Sequence, residues 1–143
     1  MRPHLAELLD LARHPEGGWY RRTWTAGESV RTADGRDRAT ASAILFLLPA
    51  GEVSAWHRVA SDEVWIAHSG AVTLALGGDG ARPEPGAAVT VGTDVATGDA
   101  PQVVVPAGVW QRTWPSADDA LVTCVVSPAF DFADLELRLD TSG

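Results

Sequence analysis

Lysine and asparagine are missing from this 143-residue chain, isoleucine occurs twice, and cysteine once. All 11 basic residues are therefore arginine. The missing types share AT-rich codons, so the bias is what a GC-rich genome imposes, and an arginine here is not by itself a sign of bidentate chemistry. The lone cysteine, Cys124, excludes an internal disulfide and a Cys-His metal cluster. It sits in the apolar run 120–126 and reads as a small core residue. Positive charge is also scarce: 11 bases against 19 acids give a net charge of −8. Phosphate recognition needs a basic surface, so nucleic acid is not an expected partner, and an anionic membrane surface would repel the chain. No long apolar run exists. The longest, residues 43–50, falls far short of the ~20 residues that span a bilayer. The first ten residues carry Glu7 and Asp10 and no apolar signal core, so a cytoplasmic protein is the expectation.

Helical periodicity is confined to the start. Leu5, Leu8, Leu9 and Ala12 recur at helical spacing behind Pro3, and His14-Pro15-Glu16-Gly17-Gly18 breaks the pattern. The rest reads as short strands between turns: 19–25, 41–48, 54–59, 63–68, 72–76, 87–91, 102–105, 109–114 and 121–127, with 130–139 as a last strand or short extension. Residues 26–38 read as a loop or hairpin turn. Many short strands at close spacing indicate a sandwich or barrel. The length suits one domain over residues 1–143, and a hydrophobic content of 45% is that of an ordinary globular protein. Six tryptophans are many for this length and suit a barrel wall or a pocket.

The chemistry concentrates between Gly51 and Gly70. Side chains alternate along a strand, and a tight connection after Val59 returns the chain so that Glu63 can sit across from His57. A histidine and a carboxylate among aromatics inside an apolar wall are the makings of a ligand pocket.

The spacing Gly51, His57, Glu63, Gly70 resembles the first motif of the cupins, with Val59 where a cupin has its second histidine. Pro106-Ala107-Gly108 resembles the second motif, with Ala100 in place of its first glycine and Gln111 in place of its histidine. More specifically, the chain resembles the cupin-5 (DUF985) family. The blocks that carry this likeness are 14–21, 54–57, 61–65, 68–70, 101–111 and 130–137. Ile66 departs from it, since histidine is common there in relatives. The resemblance implies an all-β, double-stranded β-helix (a jelly-roll-like barrel) with a short N-terminal helix, often dimeric. It implies little about activity.

Metal-binding cupins use three histidines and a glutamate. Here those positions read His57, Val59, Glu63 and Gln111, so no cofactor is expected. The alternative is a divalent transition metal on His57, Glu63 and Gln111. Without metal, His57 and Glu63 can form a general acid–base pair, as metal-free sugar-epimerase cupins use a barrel histidine. Gln111, Trp65, Phe46, Trp56, His68 and Tyr20 are the candidate substrate contacts, each of which could equally be core or surface. The expected function is an epimerase- or isomerase-like enzyme acting on a small carbohydrate-like or carbonyl-containing metabolite, with His57 as base, Glu63 as its partner and Gln111 donating to a substrate oxygen. The alternatives are a non-catalytic small-ligand-binding cupin and a metal-dependent dioxygenase or isomerase. A homodimer is expected, because such barrels leave sheet edges and apolar faces for a neighbour to cover.

Overall fold

A computed structural model describes residues 1–139 of the chain. The elements run α1 (His4–Leu8), β1 (Ala12–Arg13), β2 (Trp19–Thr25), β3 (Ser29–Arg31), β4 (Asp37–Ala39), β5 (Ser42–Leu48), β6 (His57–Arg58) and β7 (Asp62–Ser69). They continue through β8 (Ala71–Leu76), β9 (Ala88–Gly92), β10 (Gln102–Val105), β11 (Gln111–Thr113), β12 (Ala120–Ser127) and β13 (Glu136–Leu137). Short 3-10 turns lie at Val95–Thr97 and Phe132–Asp134. The larger sheet has the order β1-β2-β5-β12-β7-β10, the smaller one β13-β6-β11-β8-β9, and β3 pairs with β4 as a separate hairpin. The strand ladders are all antiparallel.

Alternation along the strands sorts the core. On β5, Phe46 and Leu48 join a buried cluster with Trp65 of β7, Val72 and Leu74 of β8, Val91 of β9 and Val122 and Cys124 of β12. This cluster draws on both sheets and fills the hollow between them. Fully burying one side chain such as Phe46 contributes roughly 1.5–3 kcal/mol. Leu47 points the other way and packs with Trp19, Leu11 and Ala6, so α1 covers the outer face of the larger sheet. No helix among the described residues is long and apolar enough to cross a membrane.

Four segments depart from their sequence patterns. The helix stops at Leu8 because Asp10 takes a left-handed conformation (φ 55°), after which Ala12 and Arg13 pair with β2 as a strand. Only His57 and Arg58 of the segment 54–59 join a ladder, and only 111–113 of the segment 109–114. The segment 130–139 splits into a 3-10 turn and β13, which pairs with β6. Asp134 in that turn meets the guanidinium groups of Arg36 and Arg38, which tie the C-terminal segment to the β3–β4 hairpin.

The β7–β8 turn depends on Gly70, whose φ is +67° and whose added Cβ would lie 2.0 Å from the Asp119 carbonyl oxygen. Gly70→Ala is expected to lower stability by about 1–3 kcal/mol through strain and collision. A lowered urea midpoint with an unchanged slope is the expected reading; a midpoint equal to wild type would contradict the crowding.

Candidate active site

The hollow opens into a cavity of about 270 Å³. The larger sheet supplies Tyr20 and Arg22 from β2, Ile44 from β5, Glu63 from β7 and Cys124 from β12. The smaller sheet supplies His57 from β6, the N-terminal arm supplies His14 and Glu16, and Phe130 and Phe132 come from the C-terminal segment. The volume lies near the lower end of ligand pockets, roughly 300–1,000 Å³, so it suits a small metabolite.

Glu16 reaches the cavity through a tight loop. His14 N–H donates to the Gly18 carbonyl at 3.0 Å, Gly17 N–H donates to the His14 carbonyl at 3.0 Å, and Ala55 N–H donates to the Glu16 carbonyl at 2.7 Å. Gly17 has φ +108°, and a Cβ there would lie 2.1 Å from the Val53 carbonyl oxygen. Only glycine allows the arm to approach this closely, and the approach places the Glu16 carboxylate over His57.

The Nε2 of His57 lies 2.7 Å from Glu16 Oε2, with both side chains buried. Its Nδ1 lies 2.7 Å from the Ala55 carbonyl oxygen, which can only accept. Both ring nitrogens thus face acceptors, and the ring suits the doubly protonated imidazolium. Burial pulls the His57 pKa down, but the charge and hydrogen bond of Glu16, with help from the charge of Glu63, outweigh it and push it up to about 9. Burial raises the Glu16 pKa, and the charge and hydrogen bond of His57 overcome this to hold it below the usual carboxylate range. His14 is the opposite case: burial lowers its pKa, and its Nδ1 accepts from Glu16 N–H at 3.2 Å, so its neutral ring carries the proton on Nε2.

Glu63 faces the same cavity but is not the ion-pair partner of His57; that partner is Glu16. Gln111 Nε2 donates to Glu63 Oε1 at 2.8 Å, and Gln111 Oε1 accepts from Trp65 Nε1 at 2.9 Å. An indole N–H is only a donor, so it fixes which end of the amide faces the carboxylate. Burial raises the pKa of Glu63 and the charge of Glu16 adds to this, against the opposing charge of His57. Burial also pushes the Cys124 thiol up, which leaves it a poor nucleophile.

The other residues singled out in the sequence fall into three places. Tyr20 lines the cavity. Gln111, Trp65 and Phe46 are fully buried beneath it, where Gln111 orients Glu63 and does not reach the cavity as a substrate donor. Trp56 and His68 lie outside it. Trp56 packs near Gly77 with Arg112 at 6.0 Å over its ring. His68 sits at the irregularity between β12 and β7, is exposed, and shares a 2.6 Å hydrogen bond with Thr123, which alternates with the inward Val122 and Cys124. Sequence reasoning passed over Glu16, His14 and Arg22. The first two lie in a block read as a helix breaker; Arg22 follows Tyr20 by two positions on β2, and that alternation would have found it.

Two antiparallel sheets enclosing a polar pocket define a protein of the cupin class. The chain belongs to the Cupin_5 family of the cupin superfamily (DUF985), whose family model matches residues 4–138. A solved structure from Shewanella oneidensis is 34% identical, covering 96% of this chain and 85% of that one at a TM-score of 0.82. A hypothetical protein from Leishmania major is 31% identical, covering 93% and 84%, also at 0.82. Oxalate decarboxylase of Bacillus subtilis, 14% identical over 90% of this chain and 30% of that one, has a TM-score of 0.61 and shares the fold. Comparison with curated proteins gives no match.

The donor set does not fit the metal of metal-binding cupins. Val59 has no donor atom, and both ends of the Gln111 amide are already engaged. Among the described residues no three His, Cys, Asp or Glu side chains group as metal ligands do.

The pair of Glu16 and His57 sets a pH dependence. A raised histidine pKa contributes stability that is complete below the unfolded value of 6.5 and is lost as pH rises through about 9. The lowered Glu16 pKa contributes stability present above its ordinary value of 4.5 and lost as pH falls through the folded one. In Glu16→Gln the midpoint of the His57 ring, followed by NMR, is expected to fall by roughly 1–3 pH units. The loss of stability between pH 6.5 and 9 is expected to shrink in the same variant. A midpoint unmoved from wild type would rule out Glu16 as the partner.

Proposed function

We propose that this cupin is an acid–base catalyst of the epimerase or isomerase type, acting on a small carbonyl-containing metabolite. What carries this reading is a buried carboxyl group, Glu63, with a raised pKa facing the same cavity as the imidazolium of His57. A carboxylate destabilised by burial is a stronger base than one in water, and its pKa lies nearer the working pH.

The roles differ from the simplest sequence reading. His57 holds its proton up to about pH 9, so it serves as the cation and Glu63 as the group that exchanges a proton. Glu63 takes the proton from the carbon beside the carbonyl, and the C–H electron pair moves to the carbonyl oxygen. The His57 cation and the Tyr20 hydroxyl stabilise the developing enolate oxygen. For an isomerisation Glu63 then returns that proton to the other carbon of the enediol; for an epimerisation water protonates the opposite face of the same carbon and Glu63 releases its proton to solvent. Gln111, held by Trp65, keeps the Glu63 carboxyl oriented.

A non-catalytic ligand-binding cupin is the second reading. It is favoured by the completeness of the polar network, since Glu16 and Ala55 already satisfy both nitrogens of His57. Hydrogen exchange separates the two. In deuterated water the catalyst is expected to place deuterium at the carbon beside a bound carbonyl, and Glu63→Gln to slow this by about 10²–10⁴-fold. Binding without exchange in the wild-type protein would leave the second reading standing. Protein purified without chelator is expected to carry no stoichiometric transition metal by elemental analysis; one ion per chain, lost in Glu63→Ala, would overturn the metal-independent chemistry.

A further inference from the structure

Not every charge around the cavity is cancelled by a partner. Glu16 and His57 neutralise each other at 2.7 Å. The carboxyl group of Glu63 accepts from Gln111 Nε2 at 2.8 Å and pairs with no arginine among the described residues. That leaves Arg22, an exposed side chain on the cavity wall. Among the described residues no carboxylate lies within ion-pair distance of it, whereas Arg2, Arg13, Arg31, Arg36, Arg38 and Arg58 each have one.

Arg22 is also held in place. Its Nη2 donates to the Phe130 carbonyl oxygen at 2.7 Å, and the Phe130 N–H donates to Ser42 Oγ at 3.0 Å. One N–H of the guanidinium thus anchors the group at the rim while others remain to face a ligand. Tyr20 shares its strand face, two residues back. Arg21, on the opposite face, donates to the Leu9 carbonyl and does not line the cavity.

We propose that the cavity selects a small metabolite bearing a carboxylate, with Arg22 at the rim as the group that recognises it. A planar guanidinium matches a carboxylate with two parallel hydrogen bonds, and this interaction is stronger than a neutral one. The oxo group of a 2-oxo acid, or the hydroxyl of a 2-hydroxy acid, then reaches inward towards His57 and Glu63. A simple amine is disfavoured, since it offers Arg22 no anionic group and would meet its uncancelled positive charge. This deepens the function proposed above and rests on the cavity being the substrate site.

The test is a calorimetric titration with three- to five-carbon 2-oxo and 2-hydroxy carboxylates and their neutral amide counterparts, with acetate and chloride as simple-anion controls. Carboxylates are expected to bind and their amides to bind more weakly. Arg22→Gln is expected to weaken carboxylate binding roughly 10–100-fold and leave the amides unchanged. Arg22→Lys is expected to fall between, having charge without the fork, and Arg21→Gln, which makes the same charge change on the other face, to match wild type. Circular dichroism checks that each variant is folded. Equal affinity for acid and amide, an unaltered Arg22→Gln, an equal loss in Arg21→Gln, or no binding by any carboxylate would each overturn the proposal. A neutral carbonyl compound that binds and exchanges hydrogen through Glu63 would sink the carboxylate preference and leave the acid–base reading intact. A carboxylate that binds through Arg22 but exchanges nothing would do the reverse.

Discussion

The buried ion pair between Glu16 and His57 is the constraint around which the site is arranged. An imidazolium taken out of water is costly unless a partner and hydrogen bonds replace the lost solvent. Glu16 supplies the partner and the Ala55 carbonyl the second acceptor. Once that charge is fixed, the neighbouring carboxyl group of Glu63 is left with burial as the dominant influence, and its pKa rises. Two carboxylates in one cavity thereby move in opposite directions: at Glu16 the close contact of His57 outweighs burial, and at Glu63 burial outweighs the opposing charge of His57. Such divergence is how one fold obtains separate acid and base behaviour.

Behind the cavity wall, a second polar chain is embedded in the apolar core. Trp65, Gln111 and Glu63 are linked in sequence, and each uses the donor or acceptor that the next lacks. The position that carries a histidine in the cupin motif carries here an amide that serves a carboxyl group. The strand register makes this possible, because Gln111 lies opposite His57 on β6 while its side chain reaches across to β7. The site is therefore built from both sheets, and the buried core residues Phe46 and Trp65 pack beneath it.

Much of the fold was legible in the residues. Turn-punctuated short strands marked an all-β chain, and the spacing of Gly51, His57, Glu63 and Gly70 marked the cupin class to which the chain belongs. Alternation placed His57 and Glu63 on inner faces. It does not support His68 as a substrate contact: five positions from Glu63, that residue is exposed on the outer face. What could not be read was the partner of His57. Glu16 lies 41 positions away along the chain (57 less 16) in a glycine-rich segment that local pattern identifies only as a break in a helix. Periodicity reports which face of a strand a residue occupies, and it is silent about an irregular arm whose course is set by distant backbone contacts. The same limit applies to Gln111, whose environment depends on the indole of Trp65 and not on its neighbours in sequence.

The arm also bears on the order in which the molecule takes shape. Residues 14–18 leave the ribosome early, yet the groups they dock against, Val53, Ala55 and His57, follow much later. Docking of the arm against that later segment brings the counter-charge. Until the arm docks, His57 lacks the carboxylate that balances its charge, so two segments distant in the chain complete the site together.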